Sequence, residues 1–251
     1  MNRTAATGLL LACLTLTACG SGVSGSPVGV DSAPTTSEKS SASAQATSAG
    51  DGTPCRYKTS TGQPAPEGKD VGKPAERAKD KPATVTLTTN LGAIAITLAT
   101  DTAPCTSRSI AHLAAKKYFD DSPCHRLTAA ESLSVLQCGD PTGQGTGGPG
   151  YTVQDENPGN LKPSGVGETV IYPRGTVAMA NTGRPNSGGS QFFLVYRDSK
   201  LPPTYAVLGT VDDKGLAVLD KIAAGGVTPQ MGEQDGAPTV PVKIQKATVE
   251  D

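Results

Sequence analysis

From Ala83 onward, apolar and polar residues alternate. Val85 and Leu87 stand between Thr84, Thr86 and Thr88, a turn is expected at Asn90-Leu91-Gly92, and Ile94, Ile96 and Leu98 repeat the pattern on the return. A period of two puts every second side chain on the same face of a strand, so this stretch predicts a β-hairpin with one buried face. The period then changes. Asp101 or Thr102 is suited to cap a helix and Pro104 to fill its first turn, while Ile110, Leu113 and Ala114 recur at helical spacing up to Phe119. Short strands are predicted over Cys124 to Leu127, Leu133 to Cys138, Thr176 to Ala180, Gln191 to Tyr196 and Ala206 to Val211. A second helix is predicted over Gly215 to Ala223 and a last strand over Val240 to Val249. Many short strands with Gly/Pro-rich connections, and two helices that could plug the ends of a cylinder, predict a mainly β fold built as a closed antiparallel barrel. A β-sandwich is the competing architecture.

The first third of the chain shows no such pattern. Arg3 precedes an apolar run from about Ala5 to Leu16, and Leu16-Thr17-Ala18-Cys19 follows. This has the form of a bacterial lipoprotein signal over residues 1–18, and in proteins it resembles the thiol of the residue corresponding to Cys19 carries the lipid. From Gly20 to about Gly52 the chain is Ser, Gly, Thr and Ala, too poor in large apolar residues to offset its ordering entropy. Thr59 to Pro82 is rich in Pro, Lys and Glu. Residues 19–82 are therefore expected to be a tether, in which only Cys55 and Tyr57 hint at contact with a folded domain over 83–251. The expected address is the extracytoplasmic side of the cell membrane, reached through the lipid, because no stretch has the ~20 apolar residues of a spanning helix.

Lys and Arg number 22 against 23 Asp and Glu, a net charge of -1 that offers no basic surplus for a nucleic-acid partner. Of the 6 cysteines, Cys13 leaves with the signal and Cys19 is taken by lipid. Cys55, Cys105, Cys124 and Cys138 remain, and in an exported domain they suggest disulfides, with three pairings open. A metal site is not expected, since no cysteine pair has ligand spacing and the 2 histidines are His112 and His125.

Four segments carry more specific information: Cys124-His125-Arg126-Leu127; Gln137-Cys138-Gly139-Asp140 with the Pro-Thr-Gly-Gln-Gly-Thr-Gly-Gly behind it; Gly175 to Asn181; and Gly189-Ser190-Gln191-Phe192-Phe193. In this order and spacing they resemble the cyclophilins. Asp155-Glu156-Asn157 and Leu201-Pro202-Pro203-Thr204-Tyr205 resemble further stretches of bacterial members, so the similarity covers about Ala83 to Val249. The resemblance implies an eight-stranded closed barrel with two capping helices, and a monomer that needs no cofactor or metal. It implies peptidyl-prolyl cis-trans isomerase activity on proline-containing polypeptides during the folding of exported proteins. A proline-segment binding module or chaperone with incidental turnover is the alternative. The run from Gly145 to Gly150 lacks a Gly-Lys-Ser/Thr ending and a following helix, so it reads as a loop bordering the cleft and not as a phosphate cradle.

The resemblance also assigns roles. Arg126 would donate to the prolyl nitrogen, Gln137 would orient the guanidinium, and backbone groups of Asn181 would hold the substrate. Met179, Phe193 and Leu201 would build an apolar slot for the proline ring, with Tyr205 at its rim and Ala180 and Gln191 along the groove. His125 is expected to be structural, because the reaction moves no proton and alternation turns it away from Arg126. Two departures stand out. Three extra residues separate Arg126 from Gln137 and the usual pocket phenylalanine is missing, so Leu133, Val135 or Leu136 must fill its place. The chain also has no tryptophan, and Lys200 or Leu201 stands where cyclosporin-sensitive members carry one.

Overall fold

The structure is a computed structural model that describes residues 52–77 and 81–250. The expected signal segment, Cys19 and the first part of the tether lie outside those residues. After a short strand β1 (Tyr57–Thr59), the alternating stretch forms the expected hairpin of β2 (Thr84–Thr89) and β3 (Gly92–Leu98). Helix α1 (Pro104–Ala115) follows, then β4 (Ser122–Cys124), β5 (Arg126–Thr128), β6 (Val135–Cys138), β7 (Tyr151–Val153), β8 (Val170–Tyr172), β9 (Thr176–Met179), β10 (Phe192–Val195), β11 (Ser199–Leu201) and β12 (Val207–Val211). Helix α2 (Asp213–Ala224), the hairpin β13 (Val227–Gly232) and β14 (Asp235–Pro238), and β15 (Val242–Glu250) complete the chain. The sequence pattern missed β1, β7, β8, β11, β13 and β14. All are short or carry Pro, Gly and Ser where apolar alternation would have marked a strand.

One antiparallel sheet of 11 strands runs in the order β13-β14-β5-β6-β10-β9-β12-β3-β2-β15-β4. Two-stranded pairs β1-β7 and β11-β8 flank it. The sheet is strongly curled: β4 is its last strand and β5 its third, yet only His125 separates them in the chain. The ladder itself has two ends, at β13 and β4, so hydrogen-bonded pairing defines a curled single sheet rather than a complete eight-stranded cylinder. It is not a sandwich either.

Inside the curl, Val85, Leu87, Ile94 and Ile96 meet Tyr118, Phe119 and Phe192, all at most 1% exposed. Burying each such aliphatic side chain stabilises the fold by ~1.5–3 kcal/mol. The edge-on contact of Phe119 with Phe192 at 5.6 Å joins the segment after α1 to β10.

The cap of helix α1 lies one or two residues later than the Asp101 or Thr102 expected for it. Ala103 occupies the cap position and supplies no side-chain bond. The exposed N–H groups are met from a distance: the Glu156 carboxylate accepts from Cys105 N at 2.9 Å and from Thr106 N at 2.8 Å. An anion at the positive end of the helix dipole satisfies two donors at once, so the local sequence needed no cap of its own. In α2 the cap is local, with Asp212 accepting from Gly215 N at 2.7 Å.

The described part of the expected tether is not slack. Residues 52–77 form a strap on the domain: Cys55 is bonded to Cys105, Tyr57 is buried and donates to Cys105 O at 3.0 Å, and β1 pairs with β7. Further along, Lys69 donates to Asp120 O at 2.7 Å and Arg108 donates to Ala75 O and Glu76 O at 3.3 and 3.2 Å. These partners are scattered over the fold, which is why composition alone made the segment read as a linker.

Candidate active site

The register of the sheet assembles the site. Arg126 of β5 stands opposite Gln137 of β6, Gln137 opposite Phe193 of β10, and Phe193 opposite Ala178 of β9. A cation, an amide and an aromatic ring therefore lie in one row across four strands. Alternation brings further residues to the same face: Leu133 and Val135 on one side of the row, Gln191 and Ala180 on the other.

This placement answers two open points. The space of the missing phenylalanine is filled by Leu133 and Val135, which line a recess of about 240 Å³ with Phe193, Leu201 and Tyr205. Leu136 faces the opposite way, into the main core. Met179 does the same: it pairs with Phe192, belongs to the main core and is not among the residues of the recess, so the expected slot role goes to Leu133 and Val135. Leu201, not the exposed Lys200, lines the recess. Tyr172, a residue that sequence reasoning missed, steadies the rim. Its hydroxyl donates to Tyr205 O at 3.0 Å and accepts from Tyr205 N at 3.2 Å, and burial pushes its pKa up to about 12.

Arg126 is held rather than free. Asp235 of β14 accepts from Nε at 2.8 Å and from one terminal nitrogen at 2.7 Å, a two-pronged ion pair in which both side chains are 28% exposed. The hydrogen bond to Asp235 holds the guanidinium's pKa above its ordinary value, so the group stays a cation. The other terminal nitrogen donates to Gln137 Oε1 at 3.2 Å, Gln137 Nε2 donates to Gln191 Oε1 at 2.9 Å, and Gln191 Nε2 donates to Gly145 O and Gly147 O at 3.0 and 2.9 Å. Each link fixes the orientation of the next. With three of the guanidinium's five N–H donors engaged, two remain for a ligand. Asp235 was invisible to sequence reasoning because it sits 109 residues from Arg126 in a hairpin without an apolar pattern.

The glycine loop is fixed in turn by Asp140, a buried carboxylate that accepts from Thr142 N at 2.8 Å and Gly147 N at 3.0 Å. Burial pushes the carboxyl's pKa up, but these hydrogen bonds outweigh it and the net shift is down. Asn181 donates from its side chain to Thr204 O at 2.8 Å and accepts from Gly183 N at 2.9 Å, which positions its peptide groups beside the recess. Neither ring nitrogen of His125 has a partner, and burial lowers the imidazole's pKa. A neutral ring packed beneath Gly145 is a spacer, in keeping with its expected structural role. The second disulfide, Cys124–Cys138, ties β4 to β6 and so flanks both Arg126 and Gln137. Among the described residues no group of His, Cys, Asp and Glu could hold a metal ion.

A curled antiparallel sheet carrying a fixed arginine beside an apolar recess on its outer face is the arrangement of the cyclophilins. The model of the family "Cyclophilin type peptidyl-prolyl cis-trans isomerase/CLD" matches residues 84–249, and the chain belongs to that family. It is 47% identical over 200 residues to the probable peptidyl-prolyl cis-trans isomerase B of Mycobacterium leprae, covering 77% of this chain and 66% of that protein. Its counterpart in Mycobacterium tuberculosis is 52% identical over 163 residues, covering 64% and 52%. The chain thus spans between half and two thirds of these relatives. A peptidyl-prolyl cis-trans isomerase of Helicobacter pylori is 37% identical over 59% of this chain and 84% of its own length. Among solved structures, a cyclophilin-type isomerase of Cryptosporidium parvum superposes with a TM-score of 0.53 at 25% identity, covering 68% of this chain and 99% of that one. The same protein was also solved in the presence of the dipeptide Ala-Pro, with a TM-score of 0.52.

Proposed function

We propose that this chain catalyses rotation about X–Pro peptide bonds of exported polypeptides. The observation that carries the reading is the Asp235-held guanidinium of Arg126 beside the recess of Leu133, Val135, Phe193 and Leu201. Amide resonance gives the bond a barrier of about 18–20 kcal/mol. As the bond twists, the prolyl nitrogen pyramidalises and gains a lone pair, so a donor aimed at it stabilises the transition state more than the planar ground state. Arg126 supplies that donor, the recess holds the proline ring, and the peptide groups of Asn181 grip the other side of the rotating bond. No proton is transferred and no cofactor is needed. One charge-assisted hydrogen bond gained only in the transition state is worth ~1.5–3 kcal/mol, about 10- to 150-fold in rate.

A protease-coupled assay on an Ala-Ala-Pro-Phe peptide with the full chain tests the reading. Arg126→Ala is expected to lower kcat/KM at least tenfold with an unchanged circular dichroism spectrum. Wild-type protein that binds the peptide without turning it over would instead make the groove a proline-binding module.

The finer architecture belongs to the same reading. Taken as one bent strand, β4 and β5 complete a cylinder of eight strands, with Cys124–Cys138 bridging the seam beside Arg126. Cys19 carries a lipid that holds the domain on the extracytoplasmic face of the membrane, where it acts as a monomer because the groove is complete within one chain. Cys19→Ser is expected to shift the chain from the membrane fraction to the medium, and light scattering of the detergent-solubilised protein to give a single-chain mass. An unchanged distribution, or a dimer mass, would overturn the respective statement.

A further inference from the structure

The recess is not the whole groove. Beyond Gln137, Ala180 and Asn181, which it shares with the recess, a second, smaller cleft of about 90 Å³ opens between Gln191, Ser190 and Thr182. A peptide laid in extended form across Ala180 and Asn181 with its proline in the recess would carry a residue that precedes the proline into this cleft. One wall comes from outside the family's matched residues 84–249: it is Gln63, from the strap.

Gln63 is seated, not draped. Its carbonyl accepts from Gly150 N at 3.1 Å, and the pairing of β1 with β7 and the Cys55–Cys105 bond anchor the strap before it. Two glycines make the seat. A Cβ on Gly148 would stand 2.7 Å from Gln63 Cβ, and one on Gly189 would stand 2.9 Å from Gln63 Oε1. A side chain at Gly148 would collide with the stem of Gln63, and one at Gly189 would shift its amide.

The seat leaves the amide unsatisfied. Oε1 is buried and has no hydrogen-bond partner, although an orphaned buried acceptor is costly and rare in folded proteins. The Tyr151 carbonyl oxygen also lies near Gly189, within 3.7 Å of its would-be Cβ. Turning the amide about its last bond would set the NH₂ on the side of that acceptor and leave the oxygen for a ligand. A donor on a bound peptide would stabilise this orientation.

We infer that Gln63 is a specificity-determining residue of the substrate groove: the strap supplies a hydrogen-bond acceptor that selects peptides with a short donor-bearing side chain, Ser, Thr or Asn, two residues before the proline. This rests on the reading of the recess as the proline site. The other cleft walls agree, because Gln137, Gln191, Asn181, Thr182 and Ser190 offer amide, hydroxyl and peptide groups but no large apolar face for a Leu or Phe side chain to cover.

The test uses the full chain and two peptides, Asn-Ala-Pro-Phe and Leu-Ala-Pro-Phe, each measured for kcat/KM and, by titration calorimetry, for Kd. In the wild type the Asn peptide is expected to be favoured in both readouts. Gln63→Leu keeps an aliphatic stem against Gly148 but removes the amide, and it should shrink the Asn-to-Leu ratio at least fivefold. Gln63→Glu, which keeps an acceptor but loses the NH₂ that would face the Tyr151 carbonyl, should retain only part of the preference. A ratio unmoved by Gln63→Leu, with turnover intact, overturns this inference and leaves the proposed activity standing. A ratio of Kd values that shifts as expected without turnover supports Gln63 and overturns the activity. Equal affinities for the two peptides in the wild type would also overturn the inference.

Discussion

Residues 84–98 and residues 52–77 are both fixed to the same domain, but different forces hold them. The hairpin of β2 and β3 is fixed by burial: its inward residues Val85, Leu87, Ile94 and Ile96 have lost almost all contact with water. The strap has three buried residues, Cys55, Tyr57 and Pro74, with Val71 packed against the core, but they follow no period, and the rest depends on a covalent bond and on separate polar contacts such as Lys69 to Asp120 O and His112 Nε2 at 3.1 Å from Gly72 O. A region fixed by burial announces itself as a periodic pattern, while a region fixed by points does not. Both reach the groove, since the sheet supplies Arg126 and the strap supplies Gln63.

Cutting the strongest point is the largest test of that contrast. Closing a loop of sequence separation 50 restricts the unfolded ensemble by ~4 kcal/mol in the chain-entropy model. The double substitution Cys55→Ser with Cys105→Ser should raise tryptic cleavage at Arg56, Lys58 and Lys69 by two orders of magnitude or more, while far-ultraviolet circular dichroism stays at the wild-type spectrum. If cleavage does not rise, packing holds the strap and the contrast fails.

A middle-sized effect concerns the part of the site that sequence reasoning missed. Asp235→Asn keeps an acceptor beside Arg126 but removes the ion pair, leaving the guanidinium to sample more orientations. The expected outcome is a three- to tenfold fall in kcat with KM nearly constant, about 1 kcal/mol of lost transition-state stabilisation, and partial recovery in Asp235→Glu. A change in KM alone would make Asp235 a binding residue instead of a positioning one.

The smallest effect is a pH dependence inside the burial-fixed region. Burial keeps the folded His125 pKa below 6.5, with Asp140 opposing that shift and Arg126 adding to it. The unfolded chain therefore takes up this proton first, so the stability is fully present above 6.5 and is lost as pH falls below it towards the lower folded value. The fall in Tm between pH 7.5 and 5.5 should be smaller in His125→Phe than in the wild type by a few degrees. Removing the ring nitrogens costs no hydrogen bond, since neither makes one. Equal slopes would show that His125 does not carry the effect.

By itself the sequence determined the strands whose side chains alternate, the helices whose apolar residues recur every three or four positions, and the family whose motifs run from Cys124 to Phe193. Those signals are local, because a period or a motif needs only neighbours in the chain. Several features did not follow from it: the pairing of Cys55 with Cys105 and of Cys124 with Cys138, the capping of α1 by Glu156, the clamp of Asp235 on Arg126, and the turning of Met179 and Leu136 into the core while Val135 faces the recess. Each of these depends on segments distant in the chain meeting, and the facing of the site residues is a matter of register. The row Arg126-Gln137-Phe193-Ala178 exists because four strands meet at one offset, and a slip of one residue on β6 would exchange Gln137 for Leu136 or Cys138. Registers are set where distant segments pack together, so only the tertiary structure could decide them.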